Sequence, residues 1–323
     1  MSARIGLGIV GLGRMGADHA RIIARHVPEA RLVAFATPDV VAARRLADEL
    51  DVAAVYGSAA ELAADRNVQG VLVAATTSRH LEIVRAVASA GRDILCEKPL
   101  ALSLADTDAA IAAADAAGVR LQVAFMRRWD PAYRRAHDRL AAGECGRPFL
   151  FKSLQFDGGA PPTAYADPAV SGGIMVDMGV HEFDLARWLM ADEVVEVHAW
   201  GSALAHPQLA EVGDVDSAVI ALRFAGGAIG NVELGRSSPI GDEVRTEVWG
   251  ASDSVYVEER TVAARPDERI FGRAYAEQAR AFVLALRDDR PTEVGGAEAR
   301  AAFLIARAAD RSRLTGRPMT VET

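Results

Sequence analysis

The stretch that decides the fold reads Ile5-Gly6-Leu7-Gly8-Ile9-Val10-Gly11-Leu12-Gly13-Arg14-Met15-Gly16. A strand-sized apolar run leads directly into a GxGxxG motif, and a helical pattern over residues 17–26 follows. In that setting the motif is typical of a Rossmann dinucleotide site rather than of a structural glycine turn. Gly11 permits a tight turn, Gly13 lets the backbone approach a pyrophosphate, and Gly16 lets the helix pack on the strand. We expect the cofactor to bind residues Gly11, Leu12, Gly13, Arg14, Met15 and Gly16.

The first part of the chain alternates short apolar runs with longer helical patterns. Runs without polar alternation indicate strands buried on both faces, and helices between them indicate a parallel sheet. Right-handed crossovers then give a doubly wound Rossmann domain, which we place at residues 1–125. The predicted strands cover residues 5–10, 31–36, 52–55, 70–75, 93–96 and 121–124.

After Met126 the pattern changes. A helix is predicted over residues 131–142, and two more, over 274–287 and 297–314, close the chain. Between them lie Val-rich runs joined by turn signals, which indicate an antiparallel sheet. These runs cover residues 194–203, 215–224, 228–234, 245–250 and 254–259. The sequence therefore predicts a second, α+β domain over residues 126–323, with an open sheet whose outer face a homo-oligomer (dimer or tetramer) would cover.

Composition narrows the class of protein. A chain of 323 residues suits two domains, and its basic residues are scattered within a net charge of −8, which argues against nucleic acid as a partner. No apolar run approaches the roughly 20 residues that span a bilayer, and no signal-peptide pattern opens the chain. Cys96 and Cys145 form neither a disulfide framework nor a metal-ligand pattern. We expect a cytoplasmic protein without a metal.

The end of the second predicted strand bears on which dinucleotide is bound. NAD-binding Rossmann domains usually carry Asp or Glu there, to accept bonds from the ribose hydroxyls. Here the strand ends in Thr37-Pro38, and Asp39 follows. Thr37 can bond a ribose hydroxyl without repelling a 2′-phosphate, yet no basic residue is clearly placed to hold that phosphate. NAD is favoured and NADP stays open.

Two further motifs accompany the glycine loop. They read Cys96-Glu97-Lys98-Pro99-Leu100 and Gly172-Gly173-Ile174-Met175-Val176-Asp177-Met178-Gly179-Val180-His181-Glu182-Phe183-Asp184. With the glycine loop they make nearly the whole chain resemble the glucose–fructose oxidoreductase / inositol dehydrogenase / rhizopine-catabolism (Gfo/Idh/MocA) family. The segment Ala124-Phe125-Met126-Arg127-Arg128-Trp129-Asp130 resembles the inositol 2-dehydrogenases most. The resemblance implies that Lys98 touches cofactor and substrate, and that the Lys98–Pro99 bond is cis.

Three residues are the candidate catalytic groups. Lys98 follows a buried strand, where its ammonium can donate to an oxygen that gains charge during hydride transfer. Asp177 and His181 are four residues apart in a predicted helix, so their side chains share a face. Histidine suits the removal of an alcohol proton near neutral pH. The resemblance assigns His181 as base and Asp177 as its partner; on spacing alone, a helix-start carboxylate and an incidental histidine stay open.

The remaining candidates surround cofactor and substrate. Thr76, His80 and Glu97, with Lys98, are expected to line the cofactor cleft, although His80 could equally be structural. Arg127 and Tyr275 match, by resemblance only, positions that contact polyol in inositol dehydrogenases. The sequence departs from those enzymes at Gln155 and Asp157, which we place on one strand, and in the longer stretch Gly158–Tyr165. We expect Gln155 and Asp157 to contact the substrate.

The sequence therefore predicts an NAD(P)-dependent dehydrogenase that acts on a secondary alcohol of an inositol or sugar-like polyol. Two alternatives stay open. One is a sensor of the same fold that binds dinucleotide and sugar without turnover. The other is a redox-neutral, NAD-assisted glycosidase, which would release an aglycone without net NADH.

Overall fold

The structure, a computed structural model, describes residues 4–261 and 272–322. By their contacts the described residues divide into two units, 4–129 with 272–299 and 130–261 with 300–322. The sequence-based division ended the first domain at residue 125 and put the helix Gly272–Arg287 in the second. That helix belongs to the first unit, because its side chains Ala279, Phe282 and Val283 are part of the hydrophobic core beneath the N-terminal sheet.

The first unit contains a six-stranded parallel sheet in the order β3-β2-β1-β4-β5-β6. Its strands are β1 Ile5–Val10, β2 Ala30–Ala36, β3 Ala54–Tyr56, β4 Gly70–Val73, β5 Asp93–Cys96 and β6 Leu121–Val123. The strands are short and mostly buried, as apolar runs covered on both faces require. This confirms the doubly wound Rossmann prediction. The order reverses between β1 and β4, the point at which ligands of such sheets bind.

Helices cover this sheet, and three of the five begin at a side-chain cap. They are α1 Arg14–His26, α2 Val40–Glu49, α3 Ala59–Ala64, α4 His80–Ser89 and α5 Leu104–Ala117. The carboxylate of Asp39 accepts the N–H of Ala42 at 2.9 Å at the start of α2, and the Ser103 hydroxyl accepts that of Asp106 at 3.0 Å in α5. Helices α1 and α4 have Gly13 and Arg79 as N-cap residues and no side-chain cap, and Gly13 has no side chain that could supply one.

The second unit contains a seven-stranded sheet in the order β12-β11-β7-β10-β9-β8-β13. Its strands are β7 Pro148–Phe156, β8 Val194–Ser202, β9 Ser217–Phe224, β10 Ile229–Gly235, β11 Asp242–Gly250, β12 Ser254–Thr261 and β13 Met319–Thr320. The pairings are antiparallel except for that of β10 with β7, which is parallel. The prediction of a mainly antiparallel α+β domain is confirmed.

The helices after residue 130 are α6 Pro131–Ala141, α7 Thr163–Ala166, α8 Pro168–Ser171, α9 Gly173–Asp177, α10 Gly179–Met190, α11 Gly272–Arg287 of the first unit and α12 Gly296–Thr315. Helix α10 packs on β7 and β10, and α6 packs on α10. The other face of the sheet exposes Trp200, Val219, Ile229, Trp249 and Tyr256. Of the helices in the described part of the chain, none is long and apolar enough to cross a membrane.

Candidate active site

The carboxyl ends of the parallel strands in the first unit lie in one row. Val10 is in register with Ala36 of β2 and with Val73 of β4, and Val73 is in register with Cys96 of β5. The residues that follow these strand ends are Gly11, Thr37, Ala74 and Glu97. Four separate parts of the sequence thus meet at the edge of the sheet where a Rossmann domain binds its ligand.

The glycine loop fits a dinucleotide. A Cβ on Gly11, whose φ is +88°, would lie 2.5 Å from the backbone nitrogen of Ala75, and a Cβ on Gly16 would lie 1.9 Å from the Gly11 oxygen. Packing within the protein therefore requires these two glycines. At Gly13 a Cβ would meet no described atom within 4 Å, beside a helix start that no side chain caps. Space and uncapped N–H groups are what a pyrophosphate needs.

Two threonines lie near this loop, beyond the ends of β2 and β4, the two strands that flank β1. Thr37 is partly buried after β2, and its backbone N–H donates to the Tyr56 oxygen at 3.2 Å. Thr76 is exposed and immediately precedes a turn of 3-10 helix over Thr77–Arg79. The Asp39 carboxylate, which follows Thr37-Pro38 in the sequence, is bonded to the first turn of α2 and therefore acts as a helix cap.

Glu97 has a buried carboxylate that protein groups already bind. His19 Nε2 lies 2.6 Å from Glu97 Oε1, and the backbone N–H of Lys98 donates to Oε2 at 3.1 Å. Burial acts to raise the pKa of Glu97, but the bond from His19 and the nearby charges outweigh it and hold the pKa below 4.5. The ionised carboxylate therefore fixes the main chain at Lys98.

His80 is buried between two backbone carbonyls. Its Nδ1 lies 3.0 Å from the Pro99 oxygen and its Nε2 lies 3.0 Å from the Ala75 oxygen. Burial lowers the pKa of His80, against the two carbonyls, which favour the protonated ring. The ring thus links the ends of β4 and β5 on the other side of Lys98. The Lys98–Pro99 bond is cis, as the resemblance implied.

Arg127 and Tyr275 come together in the same unit. Arg127 is 2% exposed in a 3-10 turn after β6. The Tyr275 ring on α11 packs edge-on against the His19 ring, with centroids 5.2 Å apart. Burial, with the charge of Glu97, raises the pKa of Tyr275 well above 10.0, so its phenol keeps its proton. The charge of Arg127 also acts on this phenol.

Asp177 and His181 lie in two helices, and the expectation of one continuous helix was wrong. Helix α9 ends at Asp177 and α10 begins at Gly179, because Met178, at φ −100° and ψ −49°, departs from regular helix geometry. The N–H of His181 donates to the Met178 oxygen at 3.2 Å, where an α-helix would use the carbonyl of Asp177. Both residues are buried, with 9% and 6% exposure.

Asp177 is bound by side chains that the sequence analysis gave no role. Arg236 Nη1 donates to Asp177 Oδ2 at 3.1 Å, and the Tyr165 hydroxyl donates to Oδ1 at 3.1 Å. Arg236 is itself paired with Asp214, whose Oδ2 lies 2.8 Å from Nε and 2.7 Å from Nη2. The carboxylate that the sequence singled out is therefore held from two sides.

Gln155 and Asp157 lie close together at the end of β7. The side-chain amide of Gln155 donates to Asp157 Oδ1 at 3.2 Å. Asp157 follows the strand rather than belonging to it, and its N–H donates to the Gly235 oxygen at 2.9 Å. Because β7 and β10 run parallel, their carboxyl ends bring these two residues near Arg236, the residue after Gly235.

Glu182, next to His181, is fully buried in a hydrogen-bonded network behind α10. Its carboxylate accepts the hydroxyl of Ser153 on β7. Ser153 and Thr246 lie 2.8 Å apart, and Thr246 and Tyr133 also lie 2.8 Å apart. The network ties α10 to two strands and to α6, and so fixes the first turn of the helix that carries His181.

Sequence reasoning missed His19, Tyr165, Asp214 and Arg236. His19 lies three residues after Gly16, on the helix that the motif begins, and Arg236 lies two residues after the strand predicted over 228–234. Both signals were local and weak, because a histidine in a helix and an arginine after a strand are ordinary features. In the described ranges, 4–261 and 272–322, no cluster of His, Cys, Asp or Glu could hold a metal.

Comparison with known proteins identifies the two parts of the chain. Residues 5–125 match the model of an oxidoreductase family with an NAD-binding Rossmann fold, and residues 133–256 match the Gfo/Idh/MocA C-terminal domain. A relative named myo-inositol 2-dehydrogenase, from Thermotoga maritima, is 34% identical, and the match covers 98% of each chain. A relative named scyllo-inositol 2-dehydrogenase (NAD(+)), from Bacillus subtilis, is 37% identical over 80% of this chain and 75% of its own.

A solved structure agrees with these matches. It is that of a probable dehydrogenase from Thermotoga maritima, which superposes with a TM-score of 0.92 at 32% sequence identity. The superposition covers 98% of this chain and 98% of the other. Motifs, fold and full-length similarity agree, and the chain belongs to the Gfo/Idh/MocA family of oxidoreductases, whose Rossmann domain binds NAD.

Proposed function

We propose that this protein is an NAD-dependent dehydrogenase that oxidises a secondary alcohol of an inositol or a closely similar polyol. The observation that carries the proposal is that Lys98, Asp177 and His181 are all present in a chain of this family. Glu97 fixes the main chain of Lys98, Arg236 binds the Asp177 carboxylate, and His181 is buried. The names of the relatives support the inositol class. A sensor would have no need of all three groups.

The chain would hold the cofactor through the groups described above. The six residues from Gly11 to Gly16 would bind the pyrophosphate, and Thr37 would bond the ribose. Thr76 would line the cleft directly, whereas His80 and Glu97, whose side chains are bonded to protein, would shape it by fixing the loops. When bound, the nicotinamide accepts the hydride from the substrate carbon. NAD is preferred, and Thr37 leaves NADP usable.

The chain's own groups would handle the proton. A ring nitrogen of His181 would take the proton from the reacting hydroxyl, and the Asp177 carboxylate would stabilise the imidazolium that results. The Lys98 ammonium would donate to the same oxygen as it becomes a carbonyl. Arg127, Tyr275, Gln155 and Asp157 would bind the other hydroxyls, because donors and acceptors in a fixed arrangement distinguish one inositol from another.

The test is the rate of NAD⁺ reduction over a panel of inositols and aldoses, with the Lys98→Ala and His181→Ala variants beside the wild type. We expect turnover of at least one inositol, reduced about 10²-fold or more in each variant. The exposed Arg79→Ala variant, whose residue bonds Glu82, is the control and should keep wild-type rates. Turnover that survives both site substitutions would remove this mechanism. An aryl glycoside added to the panel tests the glycosidase, which would release the aglycone without NADH.

We also propose that the protein acts as a homo-oligomer, with a second copy on the open face of the sheet. Neighbouring strands place Trp249, Leu150 and Ile229 in one row, and Ile229 is 57% exposed. The face also carries charges of both signs, in Arg223 and Glu196, so it can complement a copy of itself.

Two buried thiols, neither in a disulfide, support the cytoplasm as compartment.

Light scattering tests the oligomer. The wild type should have at least twice the mass of one chain at micromolar concentration, and Trp249→Glu should lower that mass. The control is Leu204→Glu, since Leu204 is exposed but lies outside the strands. A monomeric wild type, or an effect of Leu204→Glu equal to that of Trp249→Glu, would contradict this interface.

A further inference from the structure

We propose that Arg236 and Asp214 are positioning residues that hold the Asp177 carboxylate in its working orientation. The inference rests on the proposed function of Asp177 and extends it to two residues of other elements. Arg236 directly follows β10, and Asp214 lies between the turn Pro207–Val212 and β9. Neither belongs to the motifs that identify the family site.

The bridge runs from one end of helix α9 to the other. Asp214 Oδ1 accepts the N–H of Ile174, in the first turn, at 2.9 Å. Its Oδ2 is paired with Arg236 at 2.7–2.8 Å, and Arg236 donates to Asp177, the last residue of the helix, at 3.1 Å. One carboxylate and one guanidinium therefore connect the start of the helix with its functional end.

Helix α9 needs such a bridge, because it has only five residues. A helix of that length does not hold its shape by its own hydrogen bonds. It starts at Gly172 and Gly173, with φ of +86° and +71°. A Cβ on Gly173 would lie 3.1 Å from Asp214 Oδ1, and one on Gly172 would lie 2.6 Å from Val176 Cβ. The glycine pair lets the chain turn tightly enough to meet Asp214.

The charges make the arrangement rigid. The side chains of Arg236 and Asp214 are each 1% exposed, and that of Asp177 is 12% exposed. Two carboxylates share one guanidinium in a region nearly without water, so removing the guanidinium would take the ion pair from both of them. A guanidinium reaches both carboxylates at once with a planar set of donors, whereas a lysine ammonium is a point charge. Other ion pairs of this unit, such as Arg139 with Asp253, lie at the surface.

The test is a double-mutant cycle on kcat with a saturating inositol. We expect Arg236→Lys and Asp214→Asn each to lower kcat about 10-fold or more while leaving the KM for NAD⁺ unchanged. Asp177→Asn should lower kcat further, and Arg236→Lys should add almost nothing in the Asp177→Asn background, because it acts through that carboxylate. Arg139→Lys, the same substitution at a surface pair, is the control and should keep wild-type kcat.

A second arm is independent of activity. A crystal structure of the Arg236→Lys variant should show the Asp177 carboxylate displaced or in more than one rotamer, with the sheet unchanged. A wild type that turns over no inositol would refute the proposed function, and this arm would then decide the positioning role by itself. Three results would each overturn the proposal. They are a double variant whose loss of kcat equals the product of the two single losses, a wild-type kcat in Arg236→Lys, and an Asp177 carboxylate that does not move in the crystal of that variant.

Discussion

The two units hold their candidate catalytic groups in different ways. In the first unit, Lys98 is fixed through its main chain, because Glu97 accepts its N–H and His80 contacts the carbonyl of Pro99. In the second unit, Asp177 is fixed through its carboxylate, by Arg236 and Tyr165. A lysine on a fixed backbone can direct its ammonium at an oxygen that gains charge. A carboxylate bonded at both oxygens keeps one orientation.

The largest expected effect comes from removing the amine while keeping its backbone supports. Lys98→Met keeps the length of the side chain, and Glu97 and His80 still hold the loop. We expect kcat to fall about 10³-fold, the loss typical of a donor to a developing oxyanion, with little change in the midpoint of thermal unfolding. Initial rates and calorimetry measure the two quantities. A large drop in the unfolding midpoint would mean that Lys98 supports the fold.

The second effect comes from the backbone support itself. Glu97→Gln removes the charge that binds His19, so we expect a loss of about 1–3 kcal/mol in the free energy of unfolding and a roughly 10-fold fall in kcat. Denaturant titration and initial rates measure these. Glu29→Gln is the matched control, because Glu29 pairs with Arg280 in the same unit at its surface. Equal effects of the two variants would break the comparison.

The fold and the candidate catalytic residues could be predicted from the sequence, but the side chains that hold those residues in place could not. Apolar runs and the glycine spacing predicted the parallel sheet, since strand burial and backbone approach are local properties. The partnership of Arg236 with Asp177 joins residues 59 apart, and that of His19 with Glu97 joins residues 78 apart. Such contacts depend on the sheet topology. The break at Met178 was missed because a spacing of four residues fits a continuous helix equally well.

A smaller effect is expected at the second contact of Asp177. Tyr165→Phe removes one hydroxyl from a residue that is 44% exposed. The remaining bond from Arg236 should keep the carboxylate in place, so we expect kcat to fall only about 2- to 5-fold, the value of one hydrogen bond from a partly exposed residue. Steady-state rates with an inositol measure it. A loss as large as that of Arg236→Lys would assign the orientation of Asp177 to Tyr165 instead.

The smallest expected effect is a pH dependence of stability at His80. Because burial lowers the pKa of His80 below 6.5, the unfolded chain binds this proton at a higher pH than the folded chain. The contribution of His80 is therefore complete above pH 6.5 and is lost as the pH falls. In His80→Asn the free energy of unfolding should fall less steeply on acidification. The exposed His26→Asn variant is the control, and a slope equal to wild type in His80→Asn would contradict the assignment.

The most direct test of the central claim follows the label in an inositol that carries deuterium at its reacting carbon. The wild type, incubated with NAD⁺, should move the deuterium to C4 of the nicotinamide and yield one inosose per NADH, as magnetic resonance of both products would show. His181→Ala should form the same products far more slowly. Deuterium released to solvent, or retained in a product formed without NADH, would contradict the account.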